Sequence, residues 1–277
     1  MRYYKVKALS RFLIYLVLSL GAITTLLPFL WMISTSLKDP TEVMLMPPRF
    51  LPGIWRFDNY ARAMQAAPLA KYFLNTVLVT VISTTAMLFV TILASFGFSR
   101  LKFPGRDIIF GILLATLMIP GEMLIITNFV TISRLGWMDT RAALIVPFMA
   151  SVFYIYLLRQ FFLKIPDTLY YAAKVDACSD WRYLWKVMVP INRQAVSTIA
   201  ILNAIASWNA FLWPLMVTNS ESKRVLSIGL VQFQTEAGTD YELLMAAASM
   251  LVLPIIIMYL FLHKQIINGV TQSGIKG

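Results

Sequence analysis

A polar segment between two long apolar runs most constrains the fold of this chain. Residues 159–193 carry six Lys or Arg residues, whereas the runs at about 142–163 and 194–217 are mainly apolar. Four further runs, at about 12–37, 72–98, 108–130 and 243–263, are each near the ~20 residues that cross a hydrocarbon core. The sequence therefore predicts an all-α polytopic membrane protein with six transmembrane helices and a cytoplasmic polar loop.

Composition supports this class and excludes others. Hydrophobic residues make up 59% of the chain and charged residues 13%, against about 25% charged in a soluble domain. The single cysteine, Cys178, cannot form an internal disulfide, and with the single histidine, His263, it cannot supply the usual zinc ligand sets. Membrane topology explains the net charge of +11 better than nucleic-acid binding does.

The distribution of basic residues predicts the orientation. Fifteen of the 24 Lys and Arg residues lie in the N-terminal tail, the connection at 100–106, the 159–193 segment and the C-terminal tail. Because cytoplasmic connections carry the excess of Lys and Arg, both termini and the polar segment are expected in the cytoplasm. The first run is too long for a signal-peptide core and is expected to remain as a helix bent near Pro28.

Three regions follow from this topology. Residues 1–71 comprise the N-terminal tail, the first transmembrane helix and an extracytoplasmic loop that prolines keep from forming a long helix. Residues 72–263 form a five-helix core that contains the 159–193 loop, and residues 264–277 form a cytoplasmic tail. Inside the loop, Asp167 is suited to cap a short helix that ends near Asp176. Ser179 and Asp180 can start a second helix, which Pro190 stops.

The loop sequence resembles a known motif. Leu169-Tyr170-Tyr171-Ala172-Ala173-Lys174-Val175-Asp176-Ala177-Cys178 and the later Val189-Pro190 are similar to the cytoplasmic coupling loop of permease subunits of binding-protein-dependent ABC importers. That family's pattern is Glu-Ala-Ala followed by Asp-Gly-Ala and a later proline. Its glutamate is here Tyr171 and its glycine is Ala177. Asn75, residues 208–214 and the tail at 274–277 extend the resemblance, which is greatest to the maltose-type permeases of the carbohydrate branch.

The resemblance implies a function and a set of partners. The chain is expected to be a non-catalytic subunit that forms half of a translocation path for a di- or oligosaccharide in a bacterial or archaeal cell (inner) membrane. The implied partners are a second homologous permease, two copies of an ATP-binding subunit, an extracellular or periplasmic substrate-binding protein, the sugar and membrane lipid. This chain is expected to bind no cofactor, since ATP and Mg belong to the ATPase subunits. The implied ATPase-coupling residues are Leu169, Tyr171, Ala172, Ala173, Asp176, Ala177 and Pro190.

Two further stretches are candidates for the translocation path. Glu122 follows a proline and a glycine that interrupt the third run, and it either faces an aqueous cavity or lies solvated at the outer interface. Asn203, Ser207 and Asn209 either bind sugar beside Trp208 or hold helices together. In maltose-type permeases the intramembrane sugar site can lie mainly in the partner subunit, which favours the second interpretation.

Other functions fit the sequence less well. The same architecture can import a polyol or a glycerol phosphate. A self-contained secondary transporter should show repeated halves and ion-coupling polar sites near the bilayer midplane, and neither is clear. A membrane enzyme needs paired carboxylates or a histidine-based site. The chain also lacks the Gly-x-x-x-x-Gly-Lys-Ser/Thr sequence that binds a nucleotide.

Overall fold

The computed structural model describes the backbone of residues 2–235 and 238–271 and the side chains of residues 11–234 and 238–260. Helices dominate this part of the chain, and two short strands pair antiparallel. The elements are α1 (Arg2–Ser36), α2 (Pro40–Val43), α3 (Asp58–Ala66), α4 (Leu69–Arg100), α5 (Arg106–Thr116), α6 (Ile125–Arg134), α7 (Arg141–Ile145), α8 (Val152–Leu163), α9 (Asp167–Val175), α10 (Asp180–Tyr183), α11 (Val189–Ile191), α12 (Arg193–Trp208), α13 (Leu212–Val217), α14 (Leu226–Gly229), β1 (Gln234–Thr235), β2 (Gly238–Thr239) and α15 (Tyr241–Thr271).

The helices confirm the membrane class, while the number of spans stays a prediction. Among the described residues, three continuous stretches are long and apolar enough to cross a membrane: Arg11–Ser36, α4 and Tyr241–Leu260. Two bent pairs, at angles of 89° and 42°, raise the number to five if each pair is one span. The predicted 194–217 run is divided between α12 and α13, of 16 and 6 residues, and each is shorter than the ~20 residues a span needs.

The predicted interruption of the third run is present. α5 ends at Thr116, and the chain turns by 89° before a 3₁₀ turn at Gly121–Leu124 and then α6. Pro120 has no N–H to donate to the Thr116 carbonyl, and its ring disfavours helical backbone at the residue before it. The proline thus explains why the apolar run does not form one straight helix.

The first compact unit consists of residues 1–69 and 229–254. Residues 11–30 of α1 are exposed on every side, as a membrane helix is in a single chain. The loop after α1 is ordered because the buried Asn59 amide donates to the carbonyls of Ser36 (3.0 Å) and Lys38 (2.8 Å). Lys38 Nζ also donates to the Arg49 carbonyl at 2.7 Å. The tail predicted at 264–277 continues α15 as far as Thr271, and its last six residues lie outside the described part.

The second unit, residues 70–228 and 255–277, is built around α4. One apolar cluster surrounds the C-terminal part of α4 and includes Met87 and Phe96 with Phe162 of α8. Another surrounds the N-terminal part and includes Val79 with Trp213. Between and within these clusters, α4 buries one face of small polar side chains, which is typical of close helix packing in membranes. That face comprises Thr76, Thr80, Ser83, Thr84, Thr91 and Ser95.

Candidate interface loop and membrane cavity

The polar loop folds as two short helices between α8 and α12. The second helix begins as predicted: Ser179 is its N-cap, and the Ser179 hydroxyl accepts the N–H of Arg182 at 3.3 Å. The prediction that Asp167 caps the first helix is wrong. Pro166 occupies the cap position, and the Asp167 carboxylate in the first turn is bound by Arg100 instead.

Arg100 fastens the start of α9 to the end of α4. Its side chain is only 3% exposed. The guanidinium pairs with Asp167 and donates to the carbonyls of Phe162 (2.7 Å) and Ile165 (2.5 Å). Those carbonyls belong to the C-terminal end of α8 and the turn after it, where helix carbonyls lack intrahelical donors. One side chain therefore ties α4, α8 and α9 together, a role that the sequence alone did not indicate.

A hydrogen-bonded group braces α9 against α10. The Tyr170 hydroxyl donates to Asp180 at 2.7 Å, and Lys174 Nζ lies 2.8 Å from the same carboxylate. The rings of Tyr170 and Tyr183 also meet edge to face, with centroids 5.1 Å apart. The hydrogen bond from Lys174 holds the pKa of Asp180 below its usual range, whereas burial and the bond to Asp180 raise the pKa of Tyr170. The two helices form one braced unit.

The two faces of α9 differ in what covers them. Tyr170 and Ala173 pack against the cluster around Phe96 and Phe162. Ala173 was expected on the outward face, but it is half-buried against its own chain. The outward face is uncovered and mainly apolar, with the exposed Thr168 among its residues, and Val175 is 86% exposed. Its other residues are Leu169, Tyr171, Ala172 and Val175, with Asp176 and Ala177 exposed beyond it.

α9 ends in a Schellman motif centred on Ala177. The N–H of Cys178 donates to the Ala173 carbonyl (2.9 Å), and the N–H of Ala177 donates to the Lys174 carbonyl (3.1 Å). Ala177 has φ +52°, a left-handed backbone that suits glycine and is strained for alanine. This is the position at which the resembled motif has glycine, so alanine keeps the turn at a conformational cost.

We expect Ala177→Gly to stabilise the end of α9 by up to about 1 kcal/mol. Relief of the left-handed strain is worth about 1–2 kcal/mol, and the greater freedom of glycine in the unfolded chain offsets about 0.4–1 of it. Amide hydrogen exchange at residues 177 and 178 should slow. In contrast, Ala172→Gly, in the exposed middle of α9, should cost about 1 kcal/mol and speed exchange. Faster exchange in Ala177→Gly would contradict this explanation.

The prediction that Pro190 stops the second helix is wrong. Helical backbone continues from α10 through a π turn at Leu184–Met188 into α11, and the break comes at Asn192. The Val189 N–H donates to the Leu184 carbonyl, five residues back. The wider turn admits Pro190, whose ring in a regular α-helix would clash with the carbonyl four residues earlier.

α4 and α12 enclose a cavity of about 200 Å³. The Asn203 amide donates to the Thr84 hydroxyl at 2.9 Å, and the Ser207 hydroxyl lies 3.2 Å from that of Ser83. These two side chains therefore hold α12 against α4, as the second interpretation proposed, and they also line the cavity. The rest of the wall is largely apolar and includes Phe148, Trp213 and Pro214.

The other two path candidates lie apart from this cavity. Glu122 is exposed on the 3₁₀ turn between α5 and α6, and Asn209 is exposed at the C-cap of α12. Neither lines the cavity. The structure therefore brings together Asn203 and Ser207 but not the full set of four, and a role for Glu122 or Asn209 stays a prediction.

Two loops meet at the N-terminal end of α4. The Asn75 amide donates to the carbonyls of Ser222 and Arg224, each at 3.0 Å. The Asp139 carboxylate accepts the N–H groups of Asn219 and Ser220, each at 2.9 Å. The connections near residues 139 and 220 thus lie at the end of α4 opposite to Arg100 and the polar loop.

Protonation of Asp139 should loosen this loop contact. The hydrogen bonds from Ser220, backbone first, lower the pKa of Asp139. A lowered carboxyl pKa stabilises the fold above the unfolded value of about 3.9 and stops doing so as the pH falls through the folded value. We expect Asp139→Asn to lower the melting temperature by about 1–3 °C at pH 7, and we expect this deficit to shrink steadily as the pH is lowered below about 3.9. A deficit that does not shrink with falling pH would show that the charge is not the cause.

Comparison with known proteins gives consistent matches. A family profile described as "Binding-protein-dependent transport system inner membrane component" matches residues 87–272. The diacetylchitobiose uptake system permease protein NgcG of Streptomyces coelicolor is 33% identical over 92% of this chain and 86% of its own length. The arabinooligosaccharides transport system permease protein AraQ of Bacillus subtilis is 31% identical, with 91% of each chain covered.

A solved structure shares the fold. One chain in the crystal structure of a bacterial ABC transporter involved in the import of the acidic polysaccharide alginate superposes with a TM-score of 0.83. It is 25% identical, and the match covers 93% of this chain and 96% of that one. The match therefore extends over almost the whole chain.

Proposed function

This chain belongs to the family of binding-protein-dependent transport system inner membrane components, and we propose from this premise that it is one permease subunit of an ATP-driven oligosaccharide importer. The family resemblance read from the loop sequence is thereby confirmed. The observation that carries the proposal is the outward face of α9, which is mainly apolar and uncovered on a helix that contacts within its own chain hold in place. An ATPase subunit is the partner that we propose for this face.

The loop transmits movement to the membrane helices. Arg100 joins α9 to α4 and α8, and the contacts of Tyr170 and Lys174 with Asp180 join α9 to α10, which continues toward α12. When ATP binding closes an ATPase dimer, α9 is displaced, and the helices tied to it follow as a body. This alternates access to the path between the two sides of the membrane. ATP and Mg stay on the ATPase, and this chain supplies no reacting group.

The arrangement of loops along α4 supports the proposed topology. The polar loop lies at the Arg100 end of α4, and the connections near Asp139 and Asn219 lie at the Asn75 end, 25 residues away along this 32-residue helix. Such a helix is about 48 Å long, more than a hydrocarbon core is thick. We assign the Arg100 end to the cytoplasm with both chain termini, and the Asn75 end to the side from which a binding protein delivers substrate.

The proposed substrate is a di- or oligosaccharide. The named relatives transport diacetylchitobiose and arabinooligosaccharides, and the structural relative takes part in alginate import. The cavity between α4 and α12 then contributes one wall of the path, and a second homologous permease contributes the other. Because hydrogen bonds between helices occupy Asn203 and Ser207, the selective contacts are assigned chiefly to the binding protein and the partner permease.

Reconstitution tests the proposal. The chain is placed in proteoliposomes with its partner permease, ATPase and binding protein, and uptake of labelled oligosaccharide is measured. Uptake should require all four components and ATP. Uptake by the permeases alone, driven by an ion gradient, would identify a secondary transporter. Uptake of a polyol or glycerol phosphate but no oligosaccharide would keep the architecture and correct the substrate.

A further inference from the structure

The second loop helix presents two tryptophans and two basic residues side by side. Trp181, Arg182, Trp185 and Lys186, together called here the basic-aromatic surface, line an open recess of about 520 Å³. The indole rings of Trp181 and Trp185 meet edge to face, with centroids 5.6 Å apart. Arg182 and Lys186 are exposed. The surface is separate from the outward face of α9, and the coupling role described above does not use it.

The position of Trp185 places this surface beside the membrane. Its ring stacks on that of Phe89, with centroids 6.3 Å apart. Phe89 lies within α4, nine residues before Phe98 at the end of the predicted apolar run, or about 13 Å along the helix. Trp185 therefore contacts a part of α4 that lies within the predicted span. Arg182 and Lys186 are then close enough for their long side chains to extend to the lipid headgroups.

The two exposed cations are available to bind an anion from outside the chain. In the described residues, no carboxylate lies within 4.0 Å of Arg182 or Lys186, whereas Arg100, Arg106 and Lys174 each have one. Indole rings favour the headgroup level of a bilayer, and each basic side chain near an anionic surface contributes about five-fold to binding. An acidic protein surface would satisfy the charges but would not explain why the aromatic contact reaches into the apolar span.

We propose that the basic-aromatic surface binds the headgroup of an anionic phospholipid. The phosphate lies between Arg182 and Lys186, and the two indoles pack against the glycerol and upper acyl region. This assignment requires only that the chain spans a membrane. That the lipid belongs to the cytoplasmic leaflet rests on the proposed topology.

Lipid-selective fluorescence quenching tests the proposal. The full-length chain is placed in two kinds of phosphatidylcholine nanodisc. One contains brominated phosphatidylglycerol and the other contains the same amount of brominated phosphatidylcholine, and the quenching of the chain's tryptophan fluorescence is compared between them. Brominated phosphatidylglycerol should quench more strongly than brominated phosphatidylcholine, and 1 M salt should reduce this excess. In the double variant Arg182→Gln with Lys186→Gln, the excess should fall by at least half, while quenching by brominated phosphatidylcholine stays unchanged.

A matched variant controls for net charge. Lys71→Gln with Arg134→Gln also removes two exposed cations, both far in sequence from the recess, and should keep the full excess. Equal quenching of the wild type by the two lipids would overturn the proposal. So would an excess that survives Arg182→Gln with Lys186→Gln. If those substitutions leave lipid selectivity intact but weaken ATPase binding, the surface faces protein, and the importer assignment stands without the lipid site.

Discussion

Arg100→Met should leave the protein in the membrane and strongly reduce coupling between the ATPase and transport. The substitution removes the donor to the Phe162 and Ile165 carbonyls and the partner of Asp167. Hydrogen bonds to charged groups are worth about 1.5–3 kcal/mol each. The Asp167 side chain is 71% exposed, so water can hydrate its carboxylate once Arg100 is removed. We therefore expect a loss of about 2–4 kcal/mol in the local stability of the loop. Substrate-stimulated ATP hydrolysis should then fall at least about ten-fold, since 1.4 kcal/mol corresponds to a factor of ten.

Lys102→Met is the matched control. It removes one positive charge from the same connection, and the Lys102 side chain is exposed. Protease cleavage between residues 163 and 178 should rise in Arg100→Met and stay unchanged in Lys102→Met. Asp167→Asn, which keeps both carbonyl contacts of Arg100, should lie between them. Normal coupling in Arg100→Met would refute the role of Arg100 as a mechanical link.

Val175→Asp should remove ATPase association while the loop stays folded. The Val175 side chain is 86% exposed in the chain, so a carboxylate there remains hydrated until a partner covers it. Burial of an uncompensated charge at an interface costs about 3–5 kcal/mol, enough to weaken association more than about a hundred-fold. Co-purification with the ATPase and substrate uptake should be lost together.

Ala173→Asp separates docking from folding. Ala173 lies two residues away but packs half-buried against the chain's own cluster. Aspartate there should expose the loop to protease, even in the isolated chain, whereas Val175→Asp should not. Unchanged ATPase association in Val175→Asp would mean that another surface carries the docking. Equal protease sensitivity in the two variants would remove the distinction between the faces of α9.

Local chemistry explains what the sequence predicted correctly in the loop. Ser179 can cap a helix because its hydroxyl reaches a backbone N–H three residues away, and Pro120 interrupts a helix because it lacks an N–H. Both effects act within one turn of the chain. The two short helices and the break near Pro120 were predictable for that reason.

Contacts between residues far apart in the chain explain what the sequence analysis missed. Arg100 meets Phe162 and Asp167 across 62 and 67 residues, and nothing near Arg100 indicates that partner. The Asp167 carboxylate pairs with Arg100 and does not cap α9. The π turn before Pro190 likewise depends on packing of Tyr183, Leu184 and Met188, all buried. One missed feature was visible in the sequence: Ser and Thr recur along α4 at intervals of three, four or seven residues, which marks one packed helix face.

The cavity illustrates a further limit of sequence analysis. The spacing of Asn203 and Ser207 placed both on one face of α12, but it could not show what that face meets. Thr84 and Ser83 of α4 supply the partners. Asn203 and Ser207 thus both hold α12 against α4 and line the cavity.

Accessibility of one engineered thiol tests the central claim, that α9 lies in the cytoplasm against an ATPase. Val175→Cys is made in a Cys178→Ser background, so that the new thiol is the only one in the chain. A membrane-impermeant maleimide should not label it in intact cells. It should label it fully in inside-out vesicles stripped of the ATPase, and rebinding of the ATPase should protect it. Labelling from outside intact cells, or equal labelling with and without the ATPase, would contradict the account.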